Sequence, residues 1–241
     1  MNKKNIKVAI DGPSAVGKST ISKLVAHDLG YAYIDTGALY RAITWKVLQN
    51  NIDINNEDLI LDLVSKIQIA IKKKKNDFEE HYHLFIDGED VTEEIRNPKI
   101  DQNVSEIAML PKIRKKLIYL QRDLAKSGNI VMEGRDIGSI ILPNADLKFY
   151  LTASEEERVR RRYQELRNKG YKISREKVKE QMAKRDLIDS NRKYAPLVKA
   201  NDAIQIESTN KTIEEVKNEI LDIIKRYKKS GESQIENNIV R

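Results

Sequence analysis

Short apolar stretches alternate with amphipathic stretches along most of the chain. Strand-like apolar stretches occupy residues 6–11, 31–35, 129–133, 146–151 and 203–207. In the segments between them, apolar residues recur every three or four positions, which is typical of helices with one buried face. Because strands that alternate with helices form parallel sheets covered on both faces, the pattern predicts an α/β fold with three layers around a five-stranded parallel sheet.

The predicted helices have recognisable starts and ends. Ser154 and Thr212 are each followed three residues later by Glu, which is the signature of a capping box at a helix start. Gly30 and Gly128 mark helix ends. Helices are therefore expected at about 18–29, 37–50, 56–66, 111–126 and 174–191, with two more that begin near 154 and 212.

Residues 67–92 depart from this alternation. Apolar residues at 67, 69 and 71 alternate with other residues, residues 81–87 are strand-like, and Asp87-Gly88 is typical of a tight turn. We interpret the segment as a small antiparallel β insertion whose edge is protected by the lysines at 72–75. After residue 229 the chain is polar, so residues 230–241 are expected to form a flexible C-terminal tail behind a single domain of residues 1–229.

Composition excludes several classes of function. The 241 residues include no Cys and three His, which excludes a disulfide framework, Fe–S clusters, cysteine-based zinc sites and thiol nucleophiles. No apolar stretch reaches the roughly 18 residues that suggest a transmembrane helix. The apolar stretch near the N-terminus is interrupted by Lys7 and Asp11, unlike that of a signal peptide. We therefore expect a cytoplasmic protein with no membrane partner.

Positive charge is concentrated in one segment. The chain carries 44 Lys+Arg and 37 Asp+Glu, which gives a formal net charge of +7. Residues 158–199 hold fifteen of the basic residues and five of the acidic ones, so this segment alone has a net charge of +10. Such a concentration favours an anionic partner, either nucleic acid or a small phosphorylated ligand, although a solvated helix face would have the same composition.

A phosphate-binding loop follows the first predicted strand. Residues 12–19 fit the pattern G-x-x-x-x-G-K-[ST] and lie between a strand and an amphipathic helix. The loop's backbone N–H groups and the helix N-terminus favour a bound phosphate. Lys18 is expected to reach the β- and γ-phosphates, and the Ser19 hydroxyl to hold Mg²⁺. The predicted nucleotide-binding residues are Gly12, Pro13, Ser14, Ala15, Val16, Gly17, Lys18, Ser19 and Thr20.

Other features restrict the class of P-loop protein. Neither mid-chain Asn-Lys pair, at 168 and 210, continues as the Asn-Lys-x-Asp of a GTPase, and no Leu-Ser-Gly-Gly-Gln segment indicates a transporter ATPase. The chain is also too short for a full set of helicase motifs. The many arginines beyond the P-loop favour phosphoryl transfer between two anions.

Three further stretches indicate a family. Residues 35–41 read Asp-Thr-Gly-Ala-Leu-Tyr-Arg, residues 133–138 read Glu-Gly-Arg-Asp-Ile-Gly, and residues 184–192 read Lys-Arg-Asp-Leu-Ile-Asp-Ser-Asn-Arg. Together with Gly12-Pro13-Ser14, they resemble the bacterial cytidylate kinases, and the resemblance extends from about residue 6 to residue 228. It implies a P-loop kinase that transfers the γ-phosphoryl group of ATP to CMP or dCMP with the help of Mg²⁺.

The resemblance also implies a division of the chain and of its site. The core would comprise residues 1–66, 98–153 and 200–229, with an NMP-binding insertion at 67–97 and a helical lid at 154–199. The implied CMP-binding residues are Thr36, Arg41, Ser105, Arg114, Arg135, Asp136, Arg185 and Asp189. The implied catalytic residues are Lys18, Arg135, Arg185 and Arg192, and Arg158 and Arg162 of the lid would contact ATP.

Simple chemistry agrees with part of this assignment. A carboxylate at Asp136 can accept a hydrogen bond from the N4 amine of cytosine, whereas uracil presents a carbonyl there, which favours CMP over UMP. Arg185, Asp189 and Arg192 have helical spacing and share one face, although the same spacing also suits ion pairs within the helix. The CMP phosphate is already an oxyanion, so the reaction needs no strong general base, and none of the three His lies in a matching motif.

Several alternatives remain open from the sequence. The acceptor could be UMP, AMP or shikimate, which are substrates of other small P-loop kinases. The basic segment could belong to a nucleic-acid-binding ATPase, although only Tyr163 and Tyr171 offer stacking surfaces among its charges. A regulatory nucleotide-binding module would leave the acceptor-site arginines without a role. We expect small-molecule substrates only, no nucleic-acid partner, and a monomer.

Overall fold

A computed structural model describes residues 5–73, 82–126 and 128–239, with the backbone alone at 73 and 231–239. The elements in chain order are β1 (Lys7–Asp11), α1 (Lys18–Leu29), β2 (Ala32–Asp35), α2 (Thr36–Gln49), α3 (Glu57–Lys66), β3 (Ile69–Lys73), β4 (Tyr82–Ile86), β5 (Glu89–Asp90), α4 (Pro98–Met109), α5 (Pro111–Leu124), β6 (Ile130–Gly134), a π-helical turn (Ile137–Ile141), β7 (Leu147–Thr152), α6 (Glu155–Asn168), α7 (Arg175–Asn191), β8 (Ile204–Glu207) and α8 (Ile213–Ile239).

The main sheet has five parallel strands in the order β2-β6-β1-β7-β8. Helices α1 and α8 cover one face with side chains such as Val25 and Ile220, and α5 and the π-helical turn cover the other with Ile118 and Ile137. This burial on both faces explains why the strands read as apolar stretches. The predicted three-layer α/β fold with a five-stranded parallel sheet is confirmed.

The insertion is a separate antiparallel sheet in the order β3-β4-β5. It packs against α2, where Leu84 and Ile86 of the insertion contact Leu39 and Ala42. The predicted antiparallel insertion is confirmed. Of the lysines at 72–75 that were expected to protect its edge, those at 74 and 75 lie outside the described residues.

Helices α6 and α7 carry most of the basic segment. Both begin at a serine cap, since the Ser154 and Ser174 side chains accept hydrogen bonds from backbone N–H groups three residues later. The two helices share a small apolar cluster that includes Val159, Leu166 and Val178. The charged faces of α6 and α7 are therefore available to contact the P-loop and the cleft described below.

The structure adds one helix to those that the sequence predicted. The sequence analysis set no bounds for α4, although Asn97 caps its first turn and Pro98 occupies its first position, both of which are helix-start signals. The backbone of α8 extends to Ile239. The flexible tail expected at residues 230–241 stays a prediction.

Within residues 5–73, 82–126 and 128–239, no helix combines the length and apolar character needed to cross a bilayer.

Candidate active site

The P-loop lies between β1 and α1 and depends on close backbone packing. Gly12 has a φ of 151°, and a Cβ at this position would lie 2.3 Å from the Leu151 carbonyl oxygen. Lys18 begins α1 and is buried, with its Nζ donating to the carbonyl oxygens of Gly12 at 2.8 Å and Pro13 at 2.6 Å. Burial, and next the positive charge of Arg135, lower the pKa of Lys18 well below its usual range. The ammonium is thus held inside the loop.

The two basic helices contact the P-loop directly. Asp186 of α7 accepts hydrogen bonds from the Ser14 backbone N–H at 3.2 Å and from the Ser14 hydroxyl at 2.8 Å. Arg158 of α6 is ion-paired with the same carboxylate and also donates to the Ser14 carbonyl oxygen at 3.2 Å. Arg161 donates to the Val16 carbonyl oxygen at 3.3 Å. Predicted residue Arg158 therefore lies at the P-loop, and Asp186 joins it although the sequence analysis did not single it out.

The turn after β6 is fixed by a buried carboxylate at the end of β1. Asp11 accepts hydrogen bonds from the backbone N–H groups of Ile137 at 2.8 Å and Gly138 at 2.7 Å. Burial raises the pKa of Asp11 to about 6, against these two hydrogen bonds, which lower it. Asp136 immediately precedes this turn, so Asp11 sets its position. In the sequence, the signal that could have identified Asp11 was a charged residue at the end of a buried strand. The sequence analysis did not use this signal.

A second buried carboxylate, Glu133, lies beside the start of α1. The Tyr33 hydroxyl donates to it at 2.5 Å, and both Tyr33 and Ser19 act to lower its pKa. Burial, and next the negative charge of Asp35, raise the pKa of Glu133 to about 7. No group of three or more His, Cys, Asp or Glu forms a metal site among the residues that the structure describes. Ser19 and Glu133 are nonetheless two oxygen donors at the place where the P-loop ends.

Two arginines hold Asp136, the carboxylate that the sequence analysis assigned to the acceptor base. Arg114 Nη2 lies 2.5 Å from one carboxylate oxygen, and Arg192 Nη2 lies 3.3 Å from the other. Arg114 is 1% exposed, donates to the Ala108 carbonyl oxygen at 3.0 Å, and has its guanidinium 5.3 Å from the Tyr40 ring centre. The carboxylate is therefore fixed in orientation before any ligand contacts it.

A neighbouring carboxylate, Asp189 of α7, joins the same group. Arg135 Nε donates to it at 3.0 Å, and Arg192 Nη1 lies 3.6 Å away. Burial alone would raise the pKa of Asp189, but the charges of Arg135, Arg185 and Arg192 outweigh it and lower the pKa. The predicted helical face of Arg185, Asp189 and Arg192 is thus turned toward the other predicted site residues and does not form a solvent-exposed ladder.

A third carboxylate, Asp101 in the first turn of α4, was not predicted. One of its oxygens pairs with Arg41 and the other with Arg162, and Arg185 Nη1 lies 3.9 Å from the first. Burial would raise the pKa of Asp101, but the guanidinium charges of Arg41 and Arg162 hold it below its usual value. Burial, and next the charges of Arg135 and Arg41, lower the pKa of Arg185 to about 10.

One cleft of about 960 Å³ connects these groups. It begins at the P-loop and ends at Asp136 and the buried Arg114. The predicted residues that line it are Ser14, Ala15, Gly17, Lys18, Ser19, Thr20, Thr36, Arg41, Ser105, Arg114, Arg135, Asp136, Arg162, Arg185, Asp189 and Arg192. Four predicted residues are not part of the cleft lining: Gly12, Pro13, Val16 and Arg158. The P-loop with Lys18 and the arginine group of Arg41, Arg135 and Arg185 form two neighbouring candidate anion sites in this cleft. A transfer reaction between two phosphorylated molecules requires such proximity.

Comparison with known proteins identifies the family. The sequence profile of the family described as cytidylate kinase matches residues 8–226 of the chain.

The chain belongs to the cytidylate kinase family.

Alignments with relatives cover nearly the whole length of this chain and of each relative. The cytidylate kinase of Caldanaerobacter subterraneus subsp. tengcongensis is 47% identical over 224 residues, which are 93% of this chain and 96% of the relative. The cytidylate kinase of Clostridioides difficile (strain 630) is 46% identical over 217 residues, which are 90% of this chain and 97% of the relative. The resemblance inferred from the sequence motifs is confirmed, and so is the predicted enzyme class, an ATP-dependent kinase of CMP and dCMP.

A structural comparison supports the fold alone. A crystal structure of an uncharacterized protein from Eubacterium ventriosum ATCC 27560 superposes with a TM-score of 0.51 at 13% sequence identity, covering 92% of this chain and 99% of that chain. For this member of the cytidylate kinase family, the assignment of individual residues to ATP, CMP and the transferred group therefore rests on its own geometry.

Proposed function

We propose that the chain transfers the γ-phosphoryl group of ATP to CMP or dCMP within the single cleft, with ATP at the P-loop end and the acceptor at the Asp136 end. The observation that carries this assignment is the fixed Asp136 carboxylate, whose oxygens are held by Arg114 and Arg192 at the far end of the cleft from Lys18. A buried, oriented carboxylate can accept the N4 amine of cytosine and cannot donate to the O4 carbonyl of uracil.

The donor end binds the triphosphate of ATP. The backbone of residues 12–17 supplies N–H donors, and Lys18 exchanges its contacts with the Gly12 and Pro13 carbonyl oxygens for phosphate oxygens. Thr20 lines the cleft at the start of α1. Arg158 and Arg162 contact the ATP phosphates from the lid, residues 154–199, which closes on the insertion and core.

Ser19 and Glu133 are the residues that hold Mg²⁺. The fit rests on their chemistry and position: both offer oxygen donors, and both line the cleft beside Lys18. Magnesium binds proteins through one or two oxygen ligands together with substrate phosphates and water, so a larger cluster of carboxylates is not needed. When bound, Mg²⁺ neutralises negative charge on the phosphates of ATP.

The acceptor end divides between base, sugar and phosphate. Ser105 and Arg114 complete the cytosine contacts around Asp136, and both are buried at that end of the cleft. Thr36 and Asp189 lie toward the sugar. Arg41, Arg135 and Arg185 bind the acceptor phosphate, and Arg192 keeps Asp136 and Asp189 in register through its contacts with both carboxylates.

Catalysis then depends on charge and on position. Lys18, Arg135 and Arg185 neutralise the phosphoryl group as it moves between the two nucleotides, and an arginine of this kind contributes roughly 10³–10⁵ in rate in related phosphoryl-transfer sites. The CMP phosphate oxygen is the nucleophile and needs no strong base. Closure of α6 and α7 over the cleft excludes water and suppresses hydrolysis of ATP.

The decisive experiment is a coupled ADP-release assay with Mg-ATP and CMP, dCMP, UMP, AMP, GMP, shikimate or no acceptor. We expect strong turnover with CMP and dCMP, weak turnover with UMP, and almost none otherwise. Lys18→Ala and Arg185→Ala should lower turnover by about 10³-fold or more while the thermal unfolding midpoint stays close to that of the wild type. Equal rates with CMP and UMP would contradict the role of Asp136, and full activity of either variant would contradict the assigned catalytic role.

Two further measurements address partners. Single-stranded nucleic acid added to Mg-ATP should produce no ADP, since the basic helices serve the nucleotide phosphates. Light scattering after size exclusion should give the 27.8 kDa mass of one chain. Nucleic-acid-stimulated hydrolysis, or a mass twice as large, would overturn these expectations.

A further inference from the structure

Asp101 joins arginines that the proposed function assigns to different substrates. Arg41 of α2 was assigned to the acceptor phosphate and Arg162 of α6 to ATP, yet each pairs with one oxygen of the same carboxylate. Arg185 of α7, assigned to the acceptor phosphate, is 3.9 Å from it. Three elements that surround the cleft therefore meet at one side chain of α4.

The arginines need this negative charge. Arg185 is buried, its pKa is lowered to about 10 by burial and next by the charges of Arg135 and Arg41, and its Nε has no hydrogen-bond partner. Bringing guanidinium groups together costs free energy unless anions lie among them. Asp189 faces Arg135 and Arg185, and Asp101 faces Arg41, Arg162 and Arg185. Asp101 lines the cleft next to the site where the acceptor phosphate is expected.

A phosphate group competes for the same donors. Guanidinium groups bind carboxylate and phosphate through the same paired N–H geometry, and phosphate carries more charge and more acceptor oxygens. A nucleotide that enters the cleft therefore takes N–H groups from Asp101 or shares them with it. Phosphate binding must therefore offset the loss of every arginine contact that it takes from Asp101.

From this geometry we propose that Asp101 is an exchangeable internal counter-anion. It holds Arg41, Arg162 and Arg185 together before nucleotides bind, and it then yields Arg41 and Arg185 to the acceptor phosphate and Arg162 to ATP. It is a positioning residue that weakens phosphate binding and thereby sets the working affinity for CMP. The proposal rests on the assignment of Arg41 and Arg185 to the acceptor phosphate.

The test compares Asp101→Asn with the wild type by thermal unfolding in sodium phosphate and in sodium chloride at equal ionic strength, and by steady-state kinetics. Without phosphate, Asp101→Asn should unfold at a lower temperature, because the arginines lose their counter-charge. Phosphate should raise its unfolding temperature more than it raises that of the wild type. The KM for CMP should fall by roughly three- to tenfold, which is the effect of removing one competing charge.

A matched control lies on the same helix. Glu106 is also an α4 carboxylate that contacts the basic helices, with its Oε1 3.4 Å from Lys184 Nζ, but it stands outside the arginine group. Glu106→Gln should leave both the phosphate effect and the KM for CMP unchanged. Asp101→Ser provides a second variant that keeps a small polar residue in the first turn of α4, should Asp101→Asn fold poorly.

The opposite results overturn the proposal. If phosphate stabilises Asp101→Asn and Asp101→Ser no more than the wild type, or if the KM for CMP rises, Asp101 orients the arginines and does not compete with phosphate. Arg41→Ala separates this failure from that of the proposed function. A KM for CMP unchanged in Arg41→Ala would remove the acceptor-phosphate role of Arg41. The phosphate effect on Asp101→Asn would still show whether Asp101 and phosphate compete for the arginine N–H groups.

Discussion

The Asp11 carboxylate accepts a 2.7 Å hydrogen bond from the Gly138 backbone N–H, although the two residues are 127 positions apart in the sequence. Asp11 is the last residue of β1, directly before the P-loop, and Gly138 lies two residues after Asp136. One buried side chain thus links the loop that binds ATP to the turn that carries the proposed cytosine-binding carboxylate. The positions of both ends of the cleft therefore depend on the Asp11 carboxylate.

This link predicts that Asp11→Asn weakens both stability and CMP binding. Asn offers one acceptor where Asp11 offers two, so either the Ile137 or the Gly138 N–H group is left unpaired, at a cost of about 1–3 kcal/mol. The shifted turn should also misplace Asp136 and raise the KM for CMP. Denaturant unfolding and steady-state kinetics measure the two effects. The exposed Asp58→Asn should change neither, and a wild-type KM in Asp11→Asn would show that the turn does not need this support.

The P-loop predicts a sharp difference between two glycine substitutions. Gly12 and Gly170 both have positive φ, 151° and 81°, but a Cβ at Gly12 would lie 2.3 Å from the Leu151 carbonyl oxygen and a Cβ at Gly170 would meet nothing within 4 Å. Gly170→Ala should therefore cost only the backbone strain, about 1–2 kcal/mol, and keep its activity. Gly12→Ala adds a steric clash with backbone and should abolish ATP binding, as measured by calorimetry. Equal stability of the two variants would contradict this account.

The contacts of Asp136 predict a change of base preference in Asp136→Asn. The Asn amide can donate to the O4 carbonyl of uracil, which the carboxylate cannot, so the ratio of kcat/KM for CMP to that for UMP should fall by roughly 10- to 100-fold. Total activity should also fall, because Arg114 and Arg192 lose their counter-charge. Competition between the two acceptors in one assay measures the ratio directly. An unchanged ratio would mean that another residue distinguishes the bases.

Glu133 predicts a pH dependence with a defined sign. Burial raises the pKa of its carboxyl from 4.5 to about 7, so as pH rises the unfolded chain ionises first. The wild type should lose stability relative to Glu133→Gln between about pH 4.5 and 7, with a constant difference above that range. Thermal unfolding of both proteins from pH 5 to 8.5 measures this difference.

The same substitution tests the Mg²⁺ assignment. Gln keeps an oxygen for the Tyr33 hydroxyl but loses the negative charge, so Glu133→Gln should need more Mg²⁺ for half-maximal activity. Tyr33→Phe, which keeps the carboxylate, should need a nearly normal concentration. A stability difference that does not vary with pH would show that Glu133 ionises normally, and a normal Mg²⁺ requirement would exclude it as a ligand.

The sequence predicted much of the fold because the responsible signals are local. The apolar alternation that gave β1, β2, β6, β7 and β8 reflects burial on both faces of the sheet, which each strand records in its own residues. The backbone of α8 extends to Ile239, and the flexible tail expected at residues 230–241 stays a prediction.

Most of the candidate site was also visible in the sequence, since the P-loop and the family motifs name their residues. Lys18 was named by the P-loop pattern, and Arg135 and Asp136 were named by the resemblance. The expectation that the ends of parallel strands meet at one edge of the sheet agrees with both. Asp11 could have been found in the same way, because a carboxylate at the end of a buried strand needs partners.

The sequence by itself determined the order of the elements, the phosphate loop and the motif residues of the cleft, since periodicity and spacing are properties of contiguous residues. Only the tertiary structure decided which charges meet. Asp101 pairs with Arg41, 60 positions away, and with Arg162, 61 positions away. That meeting depends on how α4 packs against α2 and α7, and on how α6 packs against α7. The pairing of long charged side chains across packed helices leaves no repeat or spacing in the sequence.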